Sequence, residues 1–177
     1  MVLDRRRLIL GSGASLGAAL ASPVRAEGER WIWTRNGAGE EVAVAYRAGQ
    51  DYDGAALARL RHLMRDMQAG AEGPLPPLLI DILSVLQEQW GYSRPLVVRS
   101  GYRTPLTNAA IEGAAPASLH LRGLAADVTV PGMPVGNLGL AAWTLSRRLG
   151  FMGIGLYPGF VHIDIGPMRA WTRFGRG

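Results

Sequence analysis

The segment Gly159-Phe160-Val161-His162-Ile163-Asp164-Ile165-Gly166 constrains the fold more than any other stretch of this chain. Its apolar and polar residues alternate at period two, the period at which side chains of a β-strand leave opposite faces of a sheet. Val161, Ile163 and Ile165 therefore turn toward a core, and His162 and Asp164 share the other face. A strand patterned this way needs a sheet beside it and an apolar layer beneath it.

The rest of the chain supplies both. Arg30-Trp31-Ile32-Trp33-Thr34 and Glu41-Val42-Ala43-Val44-Ala45-Tyr46 are β-type runs separated by the turn signal Asn36-Gly37-Ala38-Gly39, which predicts a hairpin. Asp53 suits the N-cap of a helix over 54–68, with Leu57, Leu60, Met64 and Met67 at helical spacing. Pro74, Pro76 and Pro77 open a second helix whose apolar face (Leu78, Leu79, Ile82, Leu83, Val85, Leu86) is broad enough to be largely buried. Strands are expected at 96–98, 124–130, 153–157 and 160–165, with helices at 105–112 and 137–149. Helices and strands mix without regular alternation, which points to an α+β domain with a mainly antiparallel central sheet flanked by helices.

The 177 residues suffice for one domain with its own core. There is no Cys, so no disulfide framework holds the fold and any metal site must be built from His and carboxylates. The formal charge of +5 does not signal a nucleic-acid partner. Most of it sits in residues 1–26, and the remaining Arg are scattered rather than gathered into a patch.

Residues 1–26 read as an export signal: Asp4-Arg5-Arg6-Arg7, an apolar small-residue run to Ala21, then Ser22-Pro23-Val24-Arg25-Ala26 with a small-x-small cleavage site after Ala26. The paired Arg before Leu8 and Ile9 resemble a twin-arginine signal. The apolar run is short for a membrane span, although an uncleaved anchor has the same pattern. In either case the working domain, residues 27–177, is expected outside the cytoplasm, in the periplasm, with no membrane span in the mature chain.

Ser118-Leu119-His120-Leu121-Arg122-Gly123-Leu124-Ala125-Ala126-Asp127 sets a His in a loop and an Asp on a strand seven residues apart. Asp127 lies in an apolar run, where a carboxylate is costly to bury unless a cation or hydrogen-bond donors meet it. Two His and one carboxylate, with a position left open, form the ligand set of a hydrolytic zinc site. Asp164 can act as base for a bound water or can orient His162. A buried Asp capping a turn, with a strand His bonded to it, has the same spacing, so spacing leaves both readings open.

The pattern Ser118-x-His120-x-x-Gly123-x-Ala125-x-Asp127 resembles the zinc-binding signature of the D-alanyl-D-alanine metallopeptidase superfamily, which includes lysostaphin-like and hedgehog-like domains. Ser100-Gly101-Tyr102-Arg103-Thr104 resembles the segment bearing its substrate-site Arg, and Phe160 through Trp171 resembles its closing zinc motif. From Trp31 to Trp171 the order of elements looks like that of the exported murein endopeptidases of Gram-negative bacteria. The resemblance implies one zinc ion on His120, Asp127 and His162, Arg103 facing the scissile carbonyl or a substrate carboxylate, and hydrolysis of peptidoglycan cross-links. Several superfamily members carry a catalytic acid three residues before the last zinc His. Here that position is Gly159, which leaves Asp164 as the nearest carboxylate for the base and keeps a non-catalytic wall-binding module, or a carboxypeptidase, as alternatives.

His62 reads as a surface His on a charged helix, Trp171 as a residue close enough to line a groove, and the Gly-rich stretch 150–159 as tight turns between strands. Arg103 has a structural alternative as well, a buried pair with Asp127.

Overall fold

The computed structural model describes residues 28–173, so the export signal read in residues 1–26 lies outside the described residues. A long hairpin opens the domain, β1 (Glu29–Asn36) and β2 (Glu41–Ala48). The Asn36 side chain shapes its turn by accepting from the backbone N–H groups of Ala38 and Glu40, both at 3.1 Å. A two-residue strand β3 (Asp51–Tyr52) pairs with β2 and leads into α1 (Gly54–Leu63). As expected, Asp53 caps that helix, accepting from Ala55 and Ala56.

The helix stops five residues before the periodicity predicts, for a tertiary reason. The Met64 carbonyl accepts from Tyr102 N–H at 2.9 Å, and Asp66 takes the N–H groups of Gln68 and Ala69 that would have continued the helical ladder. Asp66 in turn receives both the N–H and the hydroxyl of Thr104, tying the end of α1 to the segment that carries Arg103.

Next come α2 (Pro77–Glu88), β4 (Leu96–Ser100) and α3 (Pro105–Ala110). A 3₁₀ turn over Leu119–Arg122 leads to β5 (Ala125–Thr129) and α4 (Val135–Leu149), and β6 (Phe151–Tyr157), β7 (Phe160–Pro167) and β8 (Arg169–Thr172) close the domain. The strands form one sheet in the order β3-β2-β1-β4-β5-β7-β6-β8. This is an α+β domain, but its sheet is mixed rather than mainly antiparallel. β1 runs parallel to β4, and β8 runs parallel to β6. Both parallel pairs join strands distant in sequence or separated by a return strand, which local turn signals do not reveal.

β4 covers only Thr34 to Asn36 of β1. Beyond that point α2 completes the strand's hydrogen bonds with side chains. The Gln87 amide accepts from Trp33 N–H at 2.8 Å and donates to Trp33 C=O at 2.7 Å, and the Ser84 hydroxyl donates to Trp31 C=O. Both polar side chains are fully buried, and this pairing is what makes their burial affordable.

One face of the sheet is the core. Val128, Ile154, Val161 and Ile163 pack there with Leu83 and Leu86 of α2 and Leu138 and Leu145 of α4. The opposite face, at β5, β6, β7 and β8, carries the polar residues.

Candidate metal centre

Strand register sets the geometry of this face. Asp127 of β5 pairs with Ser100 on one side and His162 on the other; beyond His162 come Gly155 and then Trp171. Five strands thus contribute one row of residues, with Asp127 and His162 at its centre. Two residues along β7 a second row runs Ala125, Asp164, Gly153 and Arg169.

His120 completes the cluster from the 3₁₀ turn, a tighter element than the loop expected for it. Ser118 caps that turn by accepting from His120 N–H, and Gly123 ends it in the left-handed region at φ 65°. A Cβ at Gly123 would lie 1.7 Å from the Pro74 carbonyl oxygen, so position 123 admits only Gly.

His120, Asp127 and His162 are all buried, and one nitrogen or oxygen from each lies within 4.8 Å of the other two. His162 Nδ1 is 2.9 Å and His120 Nε2 is 3.2 Å from Asp127 Oδ1, and the two nitrogens are 3.1 Å apart. The outer nitrogens fix the tautomers. His120 Nδ1 lies 2.6 Å from the Gly101 carbonyl, which can only accept, so Nδ1 carries the proton and Nε2 presents a lone pair. His162 Nε2 lies 3.0 Å from Asp164 Oδ2, so Nδ1 is the nitrogen left with a lone pair. Two lone pairs and a carboxylate oxygen then converge on one point in a buried site. That donor set fits a divalent metal with nitrogen and oxygen preferences.

The carboxylates around this point are held ionised. Burial would raise the pKa of Asp127, but His120 and His162, which donate to it when their rings are protonated, outweigh burial and hold the group well below the usual carboxylate range. Burial opposes ionisation of Asp164 too, and is outweighed by His162, the Gly166 N–H and Arg169. For His162, burial disfavours the charged ring and the two flanking carboxylates more than compensate, raising its pKa.

Arg103 follows β4. Its Nε donates to the Ser100 hydroxyl at 2.7 Å and its guanidinium pairs with Asp127 Oδ2, the oxygen turned away from the two imidazoles. The buried pair and the groove-facing position expected for it are therefore the same place, because Arg103 also lines the cavity above the cluster.

Asp164 is fully buried beneath His162. Its oxygens accept from His162, Arg169, Gly166 N–H and Gly153 N–H. Sequence reading missed Arg169, which reaches Asp164 Oδ2 at 2.6 Å, and it also missed how that reach is possible. The glycines of the 150–159 stretch are not all turn residues, because Gly153 and Gly155 lie inside β6. A Cβ at Gly153 would sit 2.4 Å from Asp164 Oδ2 and 2.7 Å from the Arg169 guanidinium; one at Gly155 would sit 2.6 Å from the Trp171 indole. The missing side chains let Arg169 and Trp171 of β8 reach across β6 to residues of β7, so that the Trp171 ring comes within 5.3 Å of the His162 ring and lines the groove. Gly-x-Gly inside an apolar strand is the signal that could have found this. His62 lies elsewhere, on the surface with Glu72 at 2.9 Å, and Gly159 is at the β6–β7 turn with open space around it.

The cluster forms the floor of a groove of about 360 Å³, walled on one side by residues 111–118 and on the other by β8. An open groove of this size admits a short peptide segment and leaves the buried cluster in contact with it.

A family profile described as peptidoglycan L,D-endopeptidase MepK matches residues 25–171. The peptidoglycan L,D-endopeptidase MepK of Escherichia coli K12 is 37% identical over 180 residues, which cover 95% of this chain and 97% of that protein. The probable peptidoglycan L,D-endopeptidase MepK of Haemophilus influenzae is 31% identical over 140 residues, covering 75% of this chain and 73% of that protein.

Proposed function

The chain belongs to the Peptidase_M15_2 family, and from that membership we propose that it hydrolyses peptide cross-links of peptidoglycan with a zinc ion held by His120, Asp127 and His162. The observation that carries the zinc assignment is the pair of imidazole lone pairs aimed, with Asp127 Oδ1, at one buried point below the groove. The L,D bond named for the relatives is the bond we assign to this chain as well.

A zinc ion bound there supplies Lewis-acid polarisation of the scissile amide and of an attacking water. The protein's own residues supply the rest. Gly101 C=O and Asp164 hold the two imidazoles by their outer nitrogens, fixing ring orientation and tautomer. Arg103, braced by Ser100, holds Asp127 Oδ2 and turns the remainder of its guanidinium to the groove, where it can donate to an oxyanion forming on the substrate carbonyl. Of the two roles open to Asp164, its enclosure favours orientation of His162 over direct proton abstraction, since every neighbour within reach already donates to it. Trp171 walls the groove beside His162.

Peptidoglycan lies outside the cytoplasm, and the order of charged, apolar and small residues in 1–26 agrees with export to the periplasm through a twin-arginine signal cleaved after Ala26. Among the described residues no helix is long and apolar enough to cross a membrane.

The test is digestion of purified sacculi by the zinc-loaded protein, with mass spectrometry of the released muropeptides. Loss of L,D cross-linked dimers with gain of the matching monomers is the expected result. His120→Ala is expected to lose both metal and activity. Full activity in that variant, or intact cross-links with the zinc-loaded wild type, would reject the proposal.

A further inference from the structure

Beyond the metal ligands and Asp164, the charged side chains lining the groove are Arg103, Arg169, Arg173 and Glu112. Two of them are committed within the protein: Arg103 pairs with Asp127, and Arg169 pairs with Asp164 and lies 5.2 Å from the Trp171 ring. The other two are not. Arg173 meets no carboxylate among the described residues, and Glu112 forms no ion pair among them. Both are exposed.

The two residues nonetheless meet at the same rim of the groove, and Arg173 is anchored there. The Arg173 backbone N–H donates to Leu156 C=O at 2.8 Å, extending β8 along β6, and its Nη1 donates to the Gly113 carbonyl at 2.7 Å across the mouth of the groove. Gly113 is the residue after Glu112. Its φ of +69° lies in the left-handed region, and a Cβ there would come within 2.7 Å of Arg173 Nη1, so the seat requires Gly. A guanidinium has five N–H donors, and this contact uses one of them. The rim therefore offers a planar cationic fork and, one residue from its anchor, an unpaired carboxylate.

We propose that this rim binds the zwitterionic end of a substrate side chain, with its carboxylate on Arg173 and its ammonium on Glu112. The chemical class is a diamino dicarboxylic acid residue, such as a diaminopimelate, whose side chain ends in its own amino-acid head. The inference rests on the reading of the groove as the binding site for a peptidoglycan cross-link. A neutral or singly charged side chain leaves one rim charge desolvated and unpaired, which is how such a site rejects it.

The experiment compares three cross-linked muropeptides that differ only at that side chain: free head, carboxylate amidated, and amine acetylated. Wild-type kcat/KM is expected to fall about 10- to 100-fold on each capped substrate, the range for losing one charge-assisted contact. Arg173→Gln should show the same loss on the free head, mainly in KM, and no further loss on the amidated substrate. Glu112→Gln should do so with respect to the acetylated one. Metal content and Tm of the variants establish that they are folded, and the wild-type comparison alone decides the matter if they are not. Equal turnover of all three substrates by the wild type, or variant losses equal across them, would overturn the assignment. So would a Glu112→Gln defect in kcat on every substrate, which would make Glu112 part of the chemistry instead. Calorimetric binding of the uncross-linked stem tripeptide, free or amidated, separates this inference from the activity. Preference for the free head without any cleavage sinks the peptidase reading and upholds the rim, whereas cleavage without preference does the reverse.

Discussion

His162 and Asp164 stand on the same face of β7 with Nε2 and Oδ2 3.0 Å apart, and this contact turns the other ring nitrogen, Nδ1, toward Asp127 Oδ1 at 2.9 Å. A carboxylate behind a metal-facing imidazole sets both its tautomer and its basicity. Asp164→Asn is therefore expected to weaken zinc binding about 10- to 100-fold while leaving measurable activity in saturating zinc, as read by chelator competition and muropeptide release. Complete loss of activity with unchanged zinc affinity would show instead that Asp164 acts on the substrate.

Gly155→Ala places a methyl group where the Trp171 indole lies, 2.6 Å from its nearest carbons. Overpacking of this kind costs about 1–3 kcal/mol, and the indole must also leave His162. The expected result is a lower midpoint in urea and a shifted tryptophan fluorescence. Adding Trp171→Leu should recover most of the stability, because the nearest atoms the methyl group meets all belong to that side chain.

Gln87→Leu keeps the side-chain volume but leaves Trp33 N–H and C=O without their partners in a buried position. Each unsatisfied buried group costs about 1–3 kcal/mol, so destabilisation of at least about 2 kcal/mol is expected by chemical denaturation. A neutral result would mean that Trp33 finds another partner in β4 or solvent.

Asp66 offers a pH test remote from the candidate metal cluster. Burial raises its pKa, but the hydroxyl of Thr107 and the Thr104 and Ala69 groups outweigh this and bring it to about 2, below the ordinary value of 3.8. A lowered folded-state pKa contributes stability that is complete above pH 3.8 and is lost as the pH falls through about 2. Wild type should thus lose about 2 kcal/mol across that window from this group, whereas Asp66→Asn should start less stable and lose correspondingly less. Parallel stability curves for the two proteins between pH 5 and pH 2 would contradict this.

Zinc removal should lower Tm as well as abolish activity, because it leaves Asp127 Oδ1 and two imidazole nitrogens facing one another in a buried site. Calorimetry of the metal-free and zinc-loaded protein measures the difference, and the effect should shrink in His120→Ala.

The three residues of the candidate metal cluster were legible in the chain because each is marked locally. His162 interrupts a period-two apolar strand, Asp127 interrupts an apolar run, and His120 follows a Ser that caps its turn. The helix cap at Asp53 and the β1–β2 hairpin were legible for the same reason, since caps, turns and face alternation are written in neighbouring residues.

Register and partner choice are not written that way. The early end of α1 depends on Tyr102, far along the chain, taking the Met64 carbonyl. The parallel pairing of β1 with β4, the passage of β8 side chains over Gly153 and Gly155, and the choice of Asp164 by Arg169 all join segments that no local pattern relates. By itself the sequence determined which faces of which elements are apolar and which residues could bind a metal. Only the tertiary structure decided which oxygen meets which nitrogen, because a carboxylate in an apolar strand takes whatever donor the packing of distant strands brings to it.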